Sequence, residues 1–397
     1  MNIMSEKKWI QTWGQSHSSL SLFKYPSMPK TFRLVMNTAI SGEKLRLWIS
    51  NTYGNDNVKI GAVTLAKCSE NGTATTAFKN VTFFGKNKFI IKKGDRLRSD
   101  EIDFDLNVGD YFCINIYVIS GDLKSGNLLD NATLITVPGN YSITPVMANQ
   151  TRKRDAVRGV VSKLLGMHFP KPIPLFDSVE VLNAEDASAI VVFGDSVSQQ
   201  GFWTGPFEER IREAYPGKYS FINKSVMGNR LLYDCSPIFP ARGLYGNKAT
   251  TRIRDDIYPY DNISHVILFM GVNDVFEYAS INALPSEKPD PKDICNAIKG
   301  ITDDLHSRGM KVIMFNIPAF GSAPDATREK DAIRRVVNKW LDDNQSIFDG
   351  FYDVAGAAAD PEDDYRSKPE YIGPDKLHPN AFGGRYLAGL VDLVMFK

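Results

Sequence analysis

The chain changes its hydrophobic period part-way along, and that change limits its fold more than any other feature. Over the first ~150 residues, apolar and polar side chains alternate. In "KLRLWISN", Leu45, Leu47 and Ile49 fall on one side, and Arg46, Trp48 and Ser50 on the other. In "EIDFDLN", Ile102, Phe104 and Leu106 alternate with Asp103 and Asp105. A period of two is that of half-buried strands. The stretches "SNTYGNDN", "SENGT", "KKGD" and "NVGDY" between them are turn-forming. Short strands at these intervals predict an antiparallel β-sandwich over residues 1–150.

From residue 186 the pattern is different. The continuous apolar runs "AIVVFGDS", "YSFINKSVMG", "HVILFMGVND", "KVIMFNIP" and "FDGFYDV" read as buried strands. Helical patterns lie between them. "PFEERIREAYPG" is closed by Pro-Gly, and "DICNAIKGITDDLHSRG" carries Ile294, Ile298, Ile301 and Leu305 at helical spacing before Gly309. "ATREKDAIRRVVNKWLDDN" puts Ile333, Val337, Trp340 and Leu341 on one face, and "AFGGRYLAGLVDLV" closes the chain. Alternating β and α with continuous apolar strands predicts a parallel sheet covered on both faces over 186–397. Residues 151–185 read as a link between the halves. "TRKRDAVRGVVSKLL" is a basic helix with a solvated face, and "HFPKPIPLFD" a proline-rich extended connector. A chain of 397 residues exceeds one ordinary core, so two domains are expected.

Composition excludes several classes. Lys and Arg number 47 against 46 Asp and Glu, so nothing draws the chain to nucleic acid or an anionic membrane. No run approaches the roughly 20 apolar residues of a membrane span. The first residues, "MNIMSEKKWIQTWG", lack the apolar centre of a secretory signal, so a cytoplasmic location is expected. No oligomeric state is read from the sequence. Cys68, Cys113, Cys235 and Cys295 form no C-x-x-C pair and lie near no histidine at ligand spacing. They are expected to be neutral thiols rather than zinc ligands or a disulfide framework. No nucleotide-binding glycine motif occurs, and no cofactor is expected.

In a parallel α/β sheet, ligands bind beyond the carboxyl ends of the strands. After the first strand comes Gly194-Asp195-Ser196; after the second, Ser225 to Arg230 with Gly228; after the third, Gly271-Val272-Asn273-Asp274; after the fifth, Asp375-Lys376-Leu377-His378-Pro379. One sheet edge would then hold a hydroxyl, an imidazole, a carboxylate, a bare glycine N–H and an amide. Acyl transfer needs these types. Serine needs an adjacent base, the base needs an acceptor that fixes its tautomer, and the oxyanion needs donors in place. Taken singly, Ser196 also reads as a turn or cap serine, Gly228 as a turn glycine, and Asn273 with Asp274 as a cap pair. Asp195 reads as a turn residue. His17, His168, His265 and His306 read as structural. Ser196 is not in G-x-S-x-G, and one Asp with one His makes a poor metal site.

These residues resemble the SGNH (GDSL-type) hydrolases, in "GDSV", "NKSVMGNRL", "GVND" and "DKLHP", in the family's order. The resemblance covers about 185 to 397. It implies a flavodoxin-like three-layer α/β domain with Ser196 as nucleophile, His378 as base and Asp375 as its orienting carboxylate. Ser196, Gly228 and Asn273 would form the oxyanion hole. The segment Ser198-Gln199-Gln200-Gly201 departs from the commoner Thr-x-Gly form, which bears on the pocket rim and substrate choice. The first half is similar to the β-rich leader of some bacterial members. The expected function is a cofactor-independent serine esterase acting on short acyl esters, acetyl foremost, with acylated carbohydrates the favoured small-molecule or oligosaccharide substrates. An acyltransferase, a lipase or arylesterase, and a non-catalytic carbohydrate-binding protein are the alternatives.

Overall fold

The alternating segments pair as antiparallel sheets, because each buries one apolar side against a neighbour. The computed structural model describes residues 7–23, 28–129, 132–147, 171–183, 186–239, 241 and 243–397. The basic segment expected as a helix, and His168, lie outside them.

The first half contains β1 (Lys8–Gly14), β2 (Ser18–Ser19), β3 (Lys30–Asn37), β4 (Gly42–Ser50), β5 (Val58–Lys67), β6 (Lys79–Asn80) and β7 (Phe89–Ile91). It continues with β8 (Arg96–Arg98), β9 (Ile102–Leu106), β10 (Tyr111–Ser120), β11 (Ser125–Leu128), β12 (Thr133–Pro138), β13 (Pro172–Pro174) and β14 (Phe176–Asn183). One sheet runs β1-β14-β4-β8 with β9 also on β4; a second runs β12-β3-β10-β5-β6 with β7 on β5. A small third sheet runs β13-β11-β2. Leu45, Leu47 and Ile49 are buried in the same apolar cluster as Leu34, Ile114 and Ile116 of the second sheet.

The opposite face of β4 is not left to water. Arg46 lies opposite Glu180 in the register of β4 and β14. Its guanidinium donates to both carboxylate oxygens, at 2.8 and 2.9 Å. Such a forked pair satisfies charges that burial would otherwise penalise. The placement of Phe176–Asn183 differs from the extended connector expected there: β14 pairs with β1 and β4, at the heart of its sheet. The prolines that suggested a linker sit just before it in β13, an edge strand pairing only with β11, where a missing N–H is tolerated.

In the second half, β15 (Ser188–Gly194), β16 (Tyr219–Asn223), β17 (Ile263–Phe269), β18 (Lys311–Phe315) and β19 (Gly350–Tyr352) form a sheet in the order β16-β15-β17-β18-β19. All four pairings are parallel. Taken in chain order this is 2-1-3-4-5, the flavodoxin-like order, with its switch point at β15 and β17. Right-handed crossovers then sort the helices. Thr204–Ala214, leading from β15 out to β16, falls on one face; Ala249–Asp256, Pro291–Ser307 and Arg328–Asp343, leading the other way, fall on the opposite face. The final helix, Ala381–Leu390, packs with Thr204–Ala214.

The halves share their interior. One buried apolar cluster runs from Ile10 and Phe32 through Val191 to Phe315. β1 lies against β15 and β16, and the Ser220 hydroxyl donates to the Gln11 carbonyl at 2.5 Å.

Candidate active site

Each polar segment singled out above follows a strand of the parallel sheet, and the topology gathers them at the switch point. Gly194 ends β15, and Ser196 opens a single helical turn, Ser196–Gln199. The cap is Asp195, whose Oδ1 accepts from the Val197 N–H at 3.0 Å. That leaves the Ser196 hydroxyl for another partner. It lies 2.8 Å from His378 Nε2. His378 Nδ1 lies 2.8 Å from Asp375 Oδ2.

The Asp375–His378 loop is a tight turn. Asp375 Oδ1 accepts the N–H groups of Leu377 and His378, each at 3.0 Å. Lys376 takes a left-handed φ of 59° to close it. Burial alone would raise the Asp375 pKa, but the hydrogen bond and charge of His378 and the two N–H groups hold it below the ordinary carboxylate value. Ionised, Asp375 can only accept, so Nδ1 carries the imidazole proton and Nε2 is left to accept from serine.

Gly228 follows β16 with φ 64°, a left-handed value that favours glycine. Its face is also close-packed: a Cβ there would stand 2.3 to 2.4 Å from atoms of the Tyr245 ring. Neither its N–H nor that of Ser196 has a partner among the described residues. Asn273 follows β17. One Nδ2 hydrogen goes to the Asn229 carbonyl at 3.0 Å, which fixes the amide and leaves the second hydrogen available. Asp274, which taken singly reads as half of a cap pair, turns away and accepts the Leu231 and Leu232 N–H groups at 2.7 and 2.9 Å. Burial pushes Asp274 up to about 6 and Asp195 up to about 7.

Ser196, Gly228, Asn273 and His378 line one cleft of about 210 Å³. Its other walls include Leu128, Met227 and Phe276, with Gln199, Gln200, Glu277 and Asn282 as polar surface. Among the described residues no group of three or more His, Cys, Asp or Glu side chains could hold a metal ion. No described helix is long and apolar enough to cross a membrane.

With this geometry in place, the sequence comparison is decisive. Residues 192–386 match the GDSL-like Lipase/Acylhydrolase family. This segment is a GDSL-like lipase/acylhydrolase domain. The protein is accordingly a carboxylic ester hydrolase. No curated protein matches the chain. Among solved structures, the GDSL-like domain is similar to an acetylxylan esterase from Geobacillus stearothermophilus, at 15% identity over 53% of this chain and 96% of that one, with a TM-score of 0.39. A GDSL-like lipase from Bacteroides thetaiotaomicron is similar at 15% identity over 53% and 88%, with a TM-score of 0.37.

The GDSL-like domain also uses residues that sequence reasoning passed over. Arg252 is buried, donating to the carbonyls of Gly194 and Lys224 at 2.9 and 2.8 Å and to Asn229 Oδ1 at 2.8 Å. It thereby ties the backbone before Ser196 and before Gly228 to the side chain of Asn229, just after Gly228. Its signal was misleading, because an arginine in "ATTRIRDD" reads as solvent-facing. Gln199, expected at the rim, lines the cleft but is only 3% exposed. Of the histidines expected to be structural, His17 hydrogen-bonds Ser125 and the Phe176 carbonyl, and His306 pairs with Asp349. Burial lowers the pKa of His265 to about 4.

Proposed function

We propose that the protein is a serine esterase that removes short acyl groups, acetyl foremost, from carbohydrate esters. The observation that carries this reading is the hydrogen-bonded line Asp375–His378–Ser196 opening on a cleft that also presents Gly228 and Asn273. In this mechanism Ser196 Oγ attacks the ester carbonyl carbon as its proton passes to His378 Nε2. The carbonyl oxygen becomes an oxyanion that takes hydrogen bonds from the N–H groups of Ser196 and Gly228 and from Asn273 Nδ2. The tetrahedral intermediate collapses, the C–O bond to the alcohol breaks, and the alcohol leaves with the proton from His378. Water then attacks the acyl-serine carbonyl, giving its proton to the same nitrogen; the bond from the acyl carbon to Ser196 Oγ breaks, Oγ takes that proton back from His378, and the acid departs.

The cleft supports the substrate class. It is small, and Gln200, Glu277 and Asn282 offer donors and acceptors suited to a hydroxyl-rich alcohol. The Glu277 carboxylate is held by Asn282 Nδ2 at 2.6 Å, pre-aimed rather than free to swing.

The test is a p-nitrophenyl ester chain-length series run beside acetate release from acetylated oligosaccharides. Acetyl should be the preferred acyl group, and Ser196→Ala should lose turnover by several orders of magnitude. Retained activity in that variant refutes the nucleophile, and a preference for long chains refutes the short-acyl reading. Products formed with added acceptor alcohol separate hydrolysis from acyl transfer.

A further inference from the structure

We infer that Asn127, contributed by the β-rich half, is a positioning residue of this site: it clamps together the two backbone segments that bear the oxyanion donors. The inference rests on the esterase reading above.

Asn127 lies in β11 and is 1% exposed. Its Nδ2 donates to the Ser225 carbonyl at 2.9 Å, in the segment that leads to Gly228. Its Oδ1 accepts from Gln199 Nε2 at 2.5 Å, on the last residue of the helical turn that begins at Ser196. A second bond to Oδ1, from the Leu128 N–H at 2.9 Å, fixes the amide orientation. One side chain thus reaches both walls of the oxyanion hole.

The second half makes a matching grip from the other side. Asn223 Oδ1 accepts the Ser225 N–H at 3.1 Å, and its Nδ2 donates to the Ser198 carbonyl at 2.9 Å. Ser225 is therefore held at its N–H by Asn223 and at its carbonyl by Asn127, and each asparagine ties it to the Ser196 turn. Two such ties fix a separation that one would leave free to hinge. The quantity they fix is the spacing of the Ser196 and Gly228 N–H groups, and misplacement of a catalytic group by an ångström can cost about 100-fold in rate. Because the oxyanion is absent from the bound ester and develops only on the way to the tetrahedral intermediate, the effect belongs to kcat rather than KM.

β11 itself does not depend on this side chain. Its backbone pairs with β13 at Gly126, Asn127 and Leu128 and with β2 at Ser125 and Gly126. Substitution should leave the strand in place and release the clamp.

The experiment uses the full chain and p-nitrophenyl acetate, with kcat, KM, the pH profile and thermal unfolding measured for each variant. Asn127→Ala should lower kcat about 10- to 100-fold with KM little changed. Asn127→Asp keeps the acceptor for Gln199 but sets a carboxylate oxygen against the Ser225 carbonyl, so its kcat should fall at least as far. Gln199→Met cuts one arm only and should lose less. The double variant Asn127→Ala/Gln199→Met should be no worse than Asn127→Ala alone, since both act through one clamp. The pH midpoint of kcat/KM should not move, because the Asp375–His378 pair is untouched. Folded Asn127 variants with wild-type kcat, or ones that lose only thermal stability, overturn the inference while leaving the esterase reading intact. A wild-type chain with no ester turnover and no fluorophosphonate adduct at Ser196 overturns both.

Discussion

Replacing Gly228 with alanine tests the oxyanion hole through a single methyl group. The added Cβ would lie 2.3 to 2.4 Å from three atoms of the Tyr245 ring. Carbon atoms rest at about 3.5 Å, so the ring or the loop must give by about 1 Å. The ring resists, because it is stacked on Phe239 with centroids 4.2 Å apart. The backbone resists too, since alanine at φ 64° costs about 1–2 kcal/mol. If the loop yields, the Gly228 N–H leaves the oxyanion by about that distance, and kcat should fall roughly 100-fold with KM nearly unchanged. Stopped-flow or steady-state hydrolysis of p-nitrophenyl acetate reads both constants. The companion is Gly228→Ala/Tyr245→Ala, which removes the obstacle while keeping the methyl. Compared with Tyr245→Ala alone, it should recover most of the loss and retain only the backbone cost. A Gly228→Ala enzyme with wild-type kcat refutes the assignment of this N–H as a donor. A double variant as impaired as the single one refutes the steric argument.

Asp375→Asn should lower kcat on the order of 10⁴-fold, because an asparagine amide can donate to His378 Nδ1 and favour the wrong tautomer; single-turnover ester cleavage checks it. Asp195 offers a pH test. Its folded carboxyl is pushed up to about 7 by burial, so it binds a proton more tightly folded than unfolded, and its contribution is complete below the ordinary value and lost as pH rises through 7. Asp195→Asn keeps an acceptor for the Val197 N–H and should flatten that decline, gaining on the wild type between pH 4 and 7 by on the order of a few kcal/mol. Parallel stability curves would show that the charge is not desolvated. We further propose that the halves are not separable: residues 186–397 expressed alone should be insoluble or unreactive toward fluorophosphonate. Lys224 would lose the Gln15 carbonyl at 2.8 Å, and Ser220 the Gln11 carbonyl. Soluble, active protein would refute this.

The parallel sheet was readable because four of its five strands are buried along most of their length and appear as near-continuous apolar runs, while the edge strand Gly350–Tyr352 is only half-buried. The gathering of Ser196, Gly228, Asn273 and His378 followed from topology alone, since each follows a strand. What the β-rich half contributes was not readable. Asn127 sits in "SGNLLDN", a polar stretch that looks like a turn, and its partners are 72 and 98 residues away. Only tertiary structure assigns such contacts. Arg252 and Glu180 were hidden for a related reason: charged side chains suggest solvent, and their burial depends on partners distant in sequence. For Phe176–Asn183, neighbouring prolines outweighed a run in which Ser178 and Glu180 are as buried as Val179 and Val181, with which they alternate.

The turn at Asp375 to His378 has a consequence for how the protein comes into being. His378 follows Ser196 by 182 residues. On a ribosome, the serine, both backbone donors and the whole β-rich half emerge long before the base that would arm the hydroxyl. On the esterase reading, a nascent chain would therefore be unreactive toward esters through most of its synthesis, and reactivity would arrive in one late step, with the turn closed by Lys376.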